Sequence, residues 1–156
     1  MLVGATLYEW LKLLHILAAM IWLGGLVAVG ALAIQTLRSG EADAIARFVG
    51  SLGVIGPLVF MPAMLVVIGL GIWLVLDNDA WELSQTWIWL ALVLFGAAFL
   101  VGAIFQSRAA LGAQRAVAGA DNLETARQLR RWSRGMGVII VLLVVITWDM
   151  VIKPGL

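Results

Sequence analysis

Apolar residues fall into four long runs separated by polar segments. The first covers about residues 7–36, with no formal charge between Lys12 and Arg38. The second covers 48–76 and the third 83–107, and no charge interrupts either. The fourth covers 135–152, with Asp149 as its single charge. About 20 apolar residues cross the hydrocarbon of a bilayer as a helix. Each run is therefore read as a transmembrane helix. The fourth is near the minimum length, and the first two are long enough to tilt or to extend past the lipid. The fold class predicted is all-α: an integral membrane four-helix bundle, one transmembrane domain over 1–156. Residues 1–6 lack a basic segment and a small-residue cleavage site, so the first run is expected to stay as a helix.

The polar segment 108–134 also carries a helical pattern. Residues 109–118 are good helix formers. Gly119-Ala120-Asp121-Asn122 reads as a turn, and Asp121 with Glu124 three positions on is a helix-start signature, so 123–134 is predicted helical. Helices three and four are thus expected to protrude as a cytoplasmic helical hairpin. The side assignment comes from charge. The first loop holds Arg38, Glu41, Asp43 and Arg47, and the second holds Asp77, Asp79 and Glu82 with no base. The third holds Arg108, Arg115, Arg127, Arg130, Arg131 and Arg134. The positive-inside rule puts the first and third loops in the cytoplasm and both termini, with Lys153, outside a bacterial cytoplasmic (inner) membrane. Trp10, Trp73, Trp81, Trp87, Trp89 and Trp148 all fall near the expected outer boundary, which suits their amphipathic rings. Only Trp22 falls deep.

Composition narrows the chemistry. The chain is 63% hydrophobic and 12% charged, whereas soluble domains carry about 25% charged residues. The lipid bilayer is therefore its first partner. The arginines of the third loop read as topology determinants and headgroup contacts, with no nucleic acid implied. No cysteine is present, which removes disulfides and thiolate chemistry. No nucleophile–base pair and no phosphate loop supports hydrolysis. Small residues such as Gly24, Gly25, Gly53, Gly69, Gly71, Gly96 and Gly102 allow close helix contacts or leave room for a flat cofactor. Pro57 and Pro62 are expected to bend the second helix.

Ionisable groups in the membrane are costly and are candidates for function. They are Glu9, Lys12, His15 and Asp149, with Lys153 at the edge. Glu9, Lys12 and His15 follow one another at intervals of three along one slowly rotating face, and Trp22 continues it. Asp149 is expected to reach Lys12 if their helices adjoin. A single histidine argues against zinc, which takes several ligands, but suffices for one axial position on haem iron. Copper(I) favours thioether sulfur, and Met61 with Met64 shares a face of helix two, where Met20 and Met150 are possible additions.

The segment Tyr8-Glu9-Trp10-Leu11-Lys12-Leu13-Leu14-His15-Ile16, followed by Trp22-Leu23-Gly24-Gly25-Leu26, resembles the first helix of HemJ-type protoporphyrinogen oxidases. Val151-Ile152-Lys153-Pro154 resembles their terminal V-K-P. The same features resemble the CopD copper-resistance family and its small uncharacterised relatives, to which the basic loop ending Arg130-Arg131-Trp132-Ser133 is most similar. The resemblance implies that His15 corresponds to the haem-ligating histidine and Lys12 to the lysine before it. The Pro-Arg pair and further histidine that follow Gly-Leu in HemJ proteins are replaced here by Val27-Ala28-Val29-Gly30-Ala31. The expectation is therefore haem b on His15 (the haem-iron ligand), with Lys12, Trp22 and Asp149 as neighbours and redox activity implied. The alternatives are copper transport or delivery through Met61, Met64 and His15, and a non-catalytic scaffold subunit. One histidine per chain means that bis-histidine haem needs a homodimer; other membrane subunits are the alternative partners.

Overall fold

A computed structural model describes residues 6–77, 81–82 and 84–155. The expected signal-free start at 1–5, together with Asp79 and Leu83, lies outside them. Four helices account for nearly all the described residues: α1 (Leu7–Ser39), α2 (Ala42–Leu76), α3 (Thr86–Ala118) and α4 (Asn122–Ile152). Each is long and apolar enough to cross a membrane.

The helices overrun the hydropathy boundaries. The polar first loop predicted over 38–47 shrinks to Gly40 and Glu41, because α2 starts with an amphipathic turn that hydropathy alone reads as loop. Ile45 and Val49 of that turn are buried, and Phe48 stacks edge-on against Trp132 of α4 at 6.1 Å between ring centroids. The α3–α4 extension is therefore not a free-standing hairpin, since α2 buttresses it. Gly40, at φ 70°, stops α1 in the left-handed region, where glycine has no steric cost.

Local signals fix the other ends. Thr6 Oγ1 accepts from the Glu9 amide at 3.3 Å, and the Thr6 amide donates to Glu9 Oε2 at 2.7 Å. Glu9 thus completes a capping box at the start of α1. Asp121 Oδ1 accepts from the Glu124 amide at 2.9 Å and opens α4. Asp121→Ala should lower stability by about 1 kcal/mol, read as an earlier midpoint in SDS-induced unfolding; an unmoved midpoint would show that neighbouring contacts hold this turn without the cap.

Two helices contain a π turn, Gly56–Phe60 in α2 and Val101–Gln106 in α3. In α2 the turn contains Pro57 and ends two residues before Pro62, and the Met61 amide reaches back to the Gly56 carbonyl. A wider turn spreads the ring-to-carbonyl crowding that proline imposes on a regular helix. In α3 no proline is involved. The buried positions Ala91, Ala98, Gln106 and Ala113 are spaced seven, eight and seven apart. The π turn absorbs the extra residue and keeps one stripe facing α4.

α4 is the hub and touches all three other helices. A third of its most apolar window is buried, against 6% for α2. Glycines mark the closest crossings. A methyl on Gly30 of α1 would lie 3.3 Å from Met136 Cγ of α4, and one on Gly135 of α4 would lie 2.8 Å from Phe105 Cδ1 of α3. Gly24, Gly25, Gly69 and Gly96 meet nothing within 4 Å, so the expected small-residue contacts form at some positions and leave these open.

Candidate intramembrane polar site

One end of the bundle carries the arginines and the other the tryptophans. At the tryptophan end Trp10, Trp73, Trp89 and Trp148 are exposed, as an interfacial belt requires. Trp81 and Trp87 instead turn inward and meet edge-on at 5.3 Å. Trp81 Nε1 donates to the Tyr8 hydroxyl at 3.3 Å. The Lys153 ammonium lies 3.9 Å from the centre of the Trp81 ring and 5.2 Å from that of Trp87. This cation–π box ties the ends of α1, α3 and α4 together. The sequence places Trp81, Trp87 and Lys153 at this boundary but gives no sign that they meet.

The box also gives the register. Tyr8 with Trp81 and Trp22 with Phe95, whose rings are 5.9 Å apart, share the same separation along the chain. α1 and α3 therefore run parallel and in step. His15 comes level with Ile88, and the α3–α4 contacts at Gly135 and Gly102 bring Asp149 level with Ala91 and Ala18. By helix rise His15 and Asp149 are within about one turn of each other in depth.

His15 is half-buried and leans on α2. A methyl on Gly71 would lie 3.1 Å from its Cε1, and Val67, one turn earlier on α2, is buried. The His15 Nδ1 is buried without a partner. Trp22 is buried, and its Nε1 also has none. Asp149 is 0% exposed, and both carboxyl oxygens are unpartnered. Buried polar atoms are nearly always satisfied. Three such side chains fall in one half of the bundle, which makes it the candidate site.

Lys12 does not join it. Leu11 is the buried residue of that turn, so Lys12, about 100° further round the helix, is exposed. The expected Lys12–Asp149 ion pair is not formed; among the described residues the ion pair present is Arg127–Glu124. The methionines diverge as well. Met61 is 46% exposed and Met20 65% exposed, both on the lipid side. Met64 and Met150 pack against the core. Gly71, where His15 rests, lies ten residues beyond Met61, about 15 Å along α2. Among the described residues no group of three or more His, Cys, Asp or Glu side chains converges. Gln106, a neutral side chain that charge-based reading passed over, is buried toward the arginine end with an unpartnered Oε1.

α2 leaves one side of the site open. Its Met61–Leu76 segment packs along α1 and makes no comparable contact with α3, and Val67 is its one buried residue. The face of that segment away from α1 is therefore not covered by α3.

Neither a curated protein nor a solved structure matches the chain. A family described as "Predicted integral membrane protein (DUF2269)" matches residues 9–154, which is nearly the whole chain and includes His15, Trp22 and Asp149. The chain belongs to the DUF2269 family of predicted integral membrane proteins.

Proposed function

We propose that this protein binds haem b in a bacterial cytoplasmic membrane through His15, with both termini outside and the α3–α4 extension in the cytoplasm. The observation that carries the reading is the sole histidine, half-buried within a membrane helix, with Nδ1 unpartnered. A buried imidazole nitrogen that meets no hydrogen-bonding group suits an axial ligand. Three further features fit. Gly71 presents no side chain against the ring. The Met61–Leu76 face away from α1 is not covered by α3. The first-helix resemblance to HemJ proteins points to the same residue. When bound, such a group supplies one-electron exchange. In this reading the chain's own residues position it: Gly71 backs the imidazole, and Trp22 floors the site. Asp149 places a carboxyl close in depth. Lys12 sits at the membrane edge, where a propionate would meet it only from the headgroup side.

The test is an absorption spectrum of gently solubilised protein, oxidised and then reduced with dithionite. Wild type should show a Soret band with sharp reduced α and β bands, and His15→Ala should lose them entirely. Gly71→Ala, which pushes on Cε1, should lower haem occupancy several-fold while the protein stays monodisperse. A featureless wild-type spectrum after haem is supplied, or full occupancy in His15→Ala, defeats the reading.

A second reading is a non-catalytic subunit of a larger membrane complex, and the thin cover of Met61–Leu76 favours it. In-membrane cross-linking from Gly69→Cys, where a methyl meets nothing within 4 Å, should then capture a stoichiometric neighbour. No cross-link would leave that face to lipid.

A further inference from the structure

We propose that the arginine end of the α1–α4 seam is a seat for one anionic phospholipid, with its phosphate held by Arg130 and Arg134 and an acyl chain laid along α4. Two hollows form there. One, of about 300 Å³, lies between α1 and α4 and is lined by Ile34, Leu37, Arg130, Ser133 and Arg134. The other, of about 460 Å³, continues along α4 past Gly137, Val138, Val141 and Leu142. Arg134 lines both, so they form one groove with a charged top and an apolar stem.

The charge at the top is uncompensated. Arg130 and Arg134 are both exposed and one helical turn apart, a like-charged pair that repels itself. Among the described residues the ion pair present is Arg127–Glu124, so no carboxylate neutralises either guanidinium. The Ser133 hydroxyl lies in the same hollow. Two guanidiniums and a hydroxyl match the oxygens of a phosphate. Anionic headgroups at a membrane surface attract such clusters.

The stem identifies the ligand as an amphiphile. Arg134 is the last charge on α4 before Asp149, so the apolar hollow begins where the hydrocarbon should begin. Gly137 recesses the helix surface there, since a methyl on it would meet nothing within 4 Å. A soluble phosphate has no use for that recess, whereas an acyl chain does. The groove does not involve His15 and stands independently of the haem reading.

Native mass spectrometry of the full chain, released from nanodiscs of mixed phosphatidylglycerol and phosphatidylcholine, tests the proposal. Wild type should retain one phosphatidylglycerol in preference to phosphatidylcholine. Arg130→Gln with Arg134→Gln should weaken that retention about thirtyfold. Arg115→Gln, outside both hollows, should not weaken it. Gly137→Phe, which fills the recess, should also weaken lipid retention while leaving any binding of inorganic phosphate unchanged. Equal retention of the two lipids overturns the proposal. So does retention that survives the double arginine variant, or phosphate that competes as well as a lipid. All variants alter exposed positions, and a monodisperse profile for each confirms that lost lipid is not lost fold.

Discussion

Gly135→Leu is expected to be the most damaging substitution at a helix crossing, lowering stability by about 3 kcal/mol. A single methyl at this position already lies 2.8 Å from Phe105 Cδ1 and 3.3 Å from Gln106 Oε1. The first atom belongs to a bulky, half-exposed ring that would have to rotate outward, and the second to a buried side chain with no room to move. Leucine adds three further carbons to the same space. Either α3 moves away from α4, or Gln106 is driven from its buried position. Gly96→Ala is the matched control, because its methyl meets nothing within 4 Å. It should unfold at the wild-type midpoint or slightly above it, since alanine is the better helix former. SDS-induced unfolding of both variants is the measurement. Equal midpoints would mean that the α3–α4 crossing is looser than the contact at Gly135 implies.

The same crossing shows what could be read from sequence. Four helices, the capping role of Asp121 and the exposed tryptophan belt follow from hydropathy, turn chemistry and ring amphipathicity, which are local properties. The π turn at Val101–Gln106 does not. It is visible only as a one-residue slip in the stripe that faces α4, and that stripe is mostly alanine, which hydropathy does not separate from its lipid-facing neighbours. The site divides the same way. His15, Trp22 and Asp149 stand out because each is unusual in a membrane run. Whether they face one another depends on helix rotation. A spacing of three between Lys12 and His15 places them within about 60° of each other on the helix, yet the bundle wall falls between them. Lys12 ends up exposed and His15 half-buried. Lys153, read from sequence as an edge charge, proves to be held over Trp81 and Trp87, rings that the chain brings to it from more than sixty residues away.

Asp149→Leu is expected to stabilise the bundle, by about 2–3 kcal/mol. The carboxyl is completely buried, and neither oxygen has a partner. Leucine has the same branching at Cγ and no polar atom to satisfy, so the substitution removes a desolvation cost without breaking a hydrogen bond. Had Asp149 been paired with Lys12, the sign would reverse. Removing one partner of a buried pair costs about 3–5 kcal/mol, because the other charge is left uncompensated. SDS-induced unfolding of Asp149→Leu, with Lys12→Gln alongside, separates these cases. A gain in the first and no change in the second is the expected pair of results. A loss in both would re-establish the ion pair. A loss in Asp149→Leu alone would mean that the acid holds a small polar guest in the folded bundle. If the gain is observed, the acid opposes folding and sits within about one turn in depth of the sole histidine. A group that costs stability there fits the role proposed for it beside His15 better than a packing role.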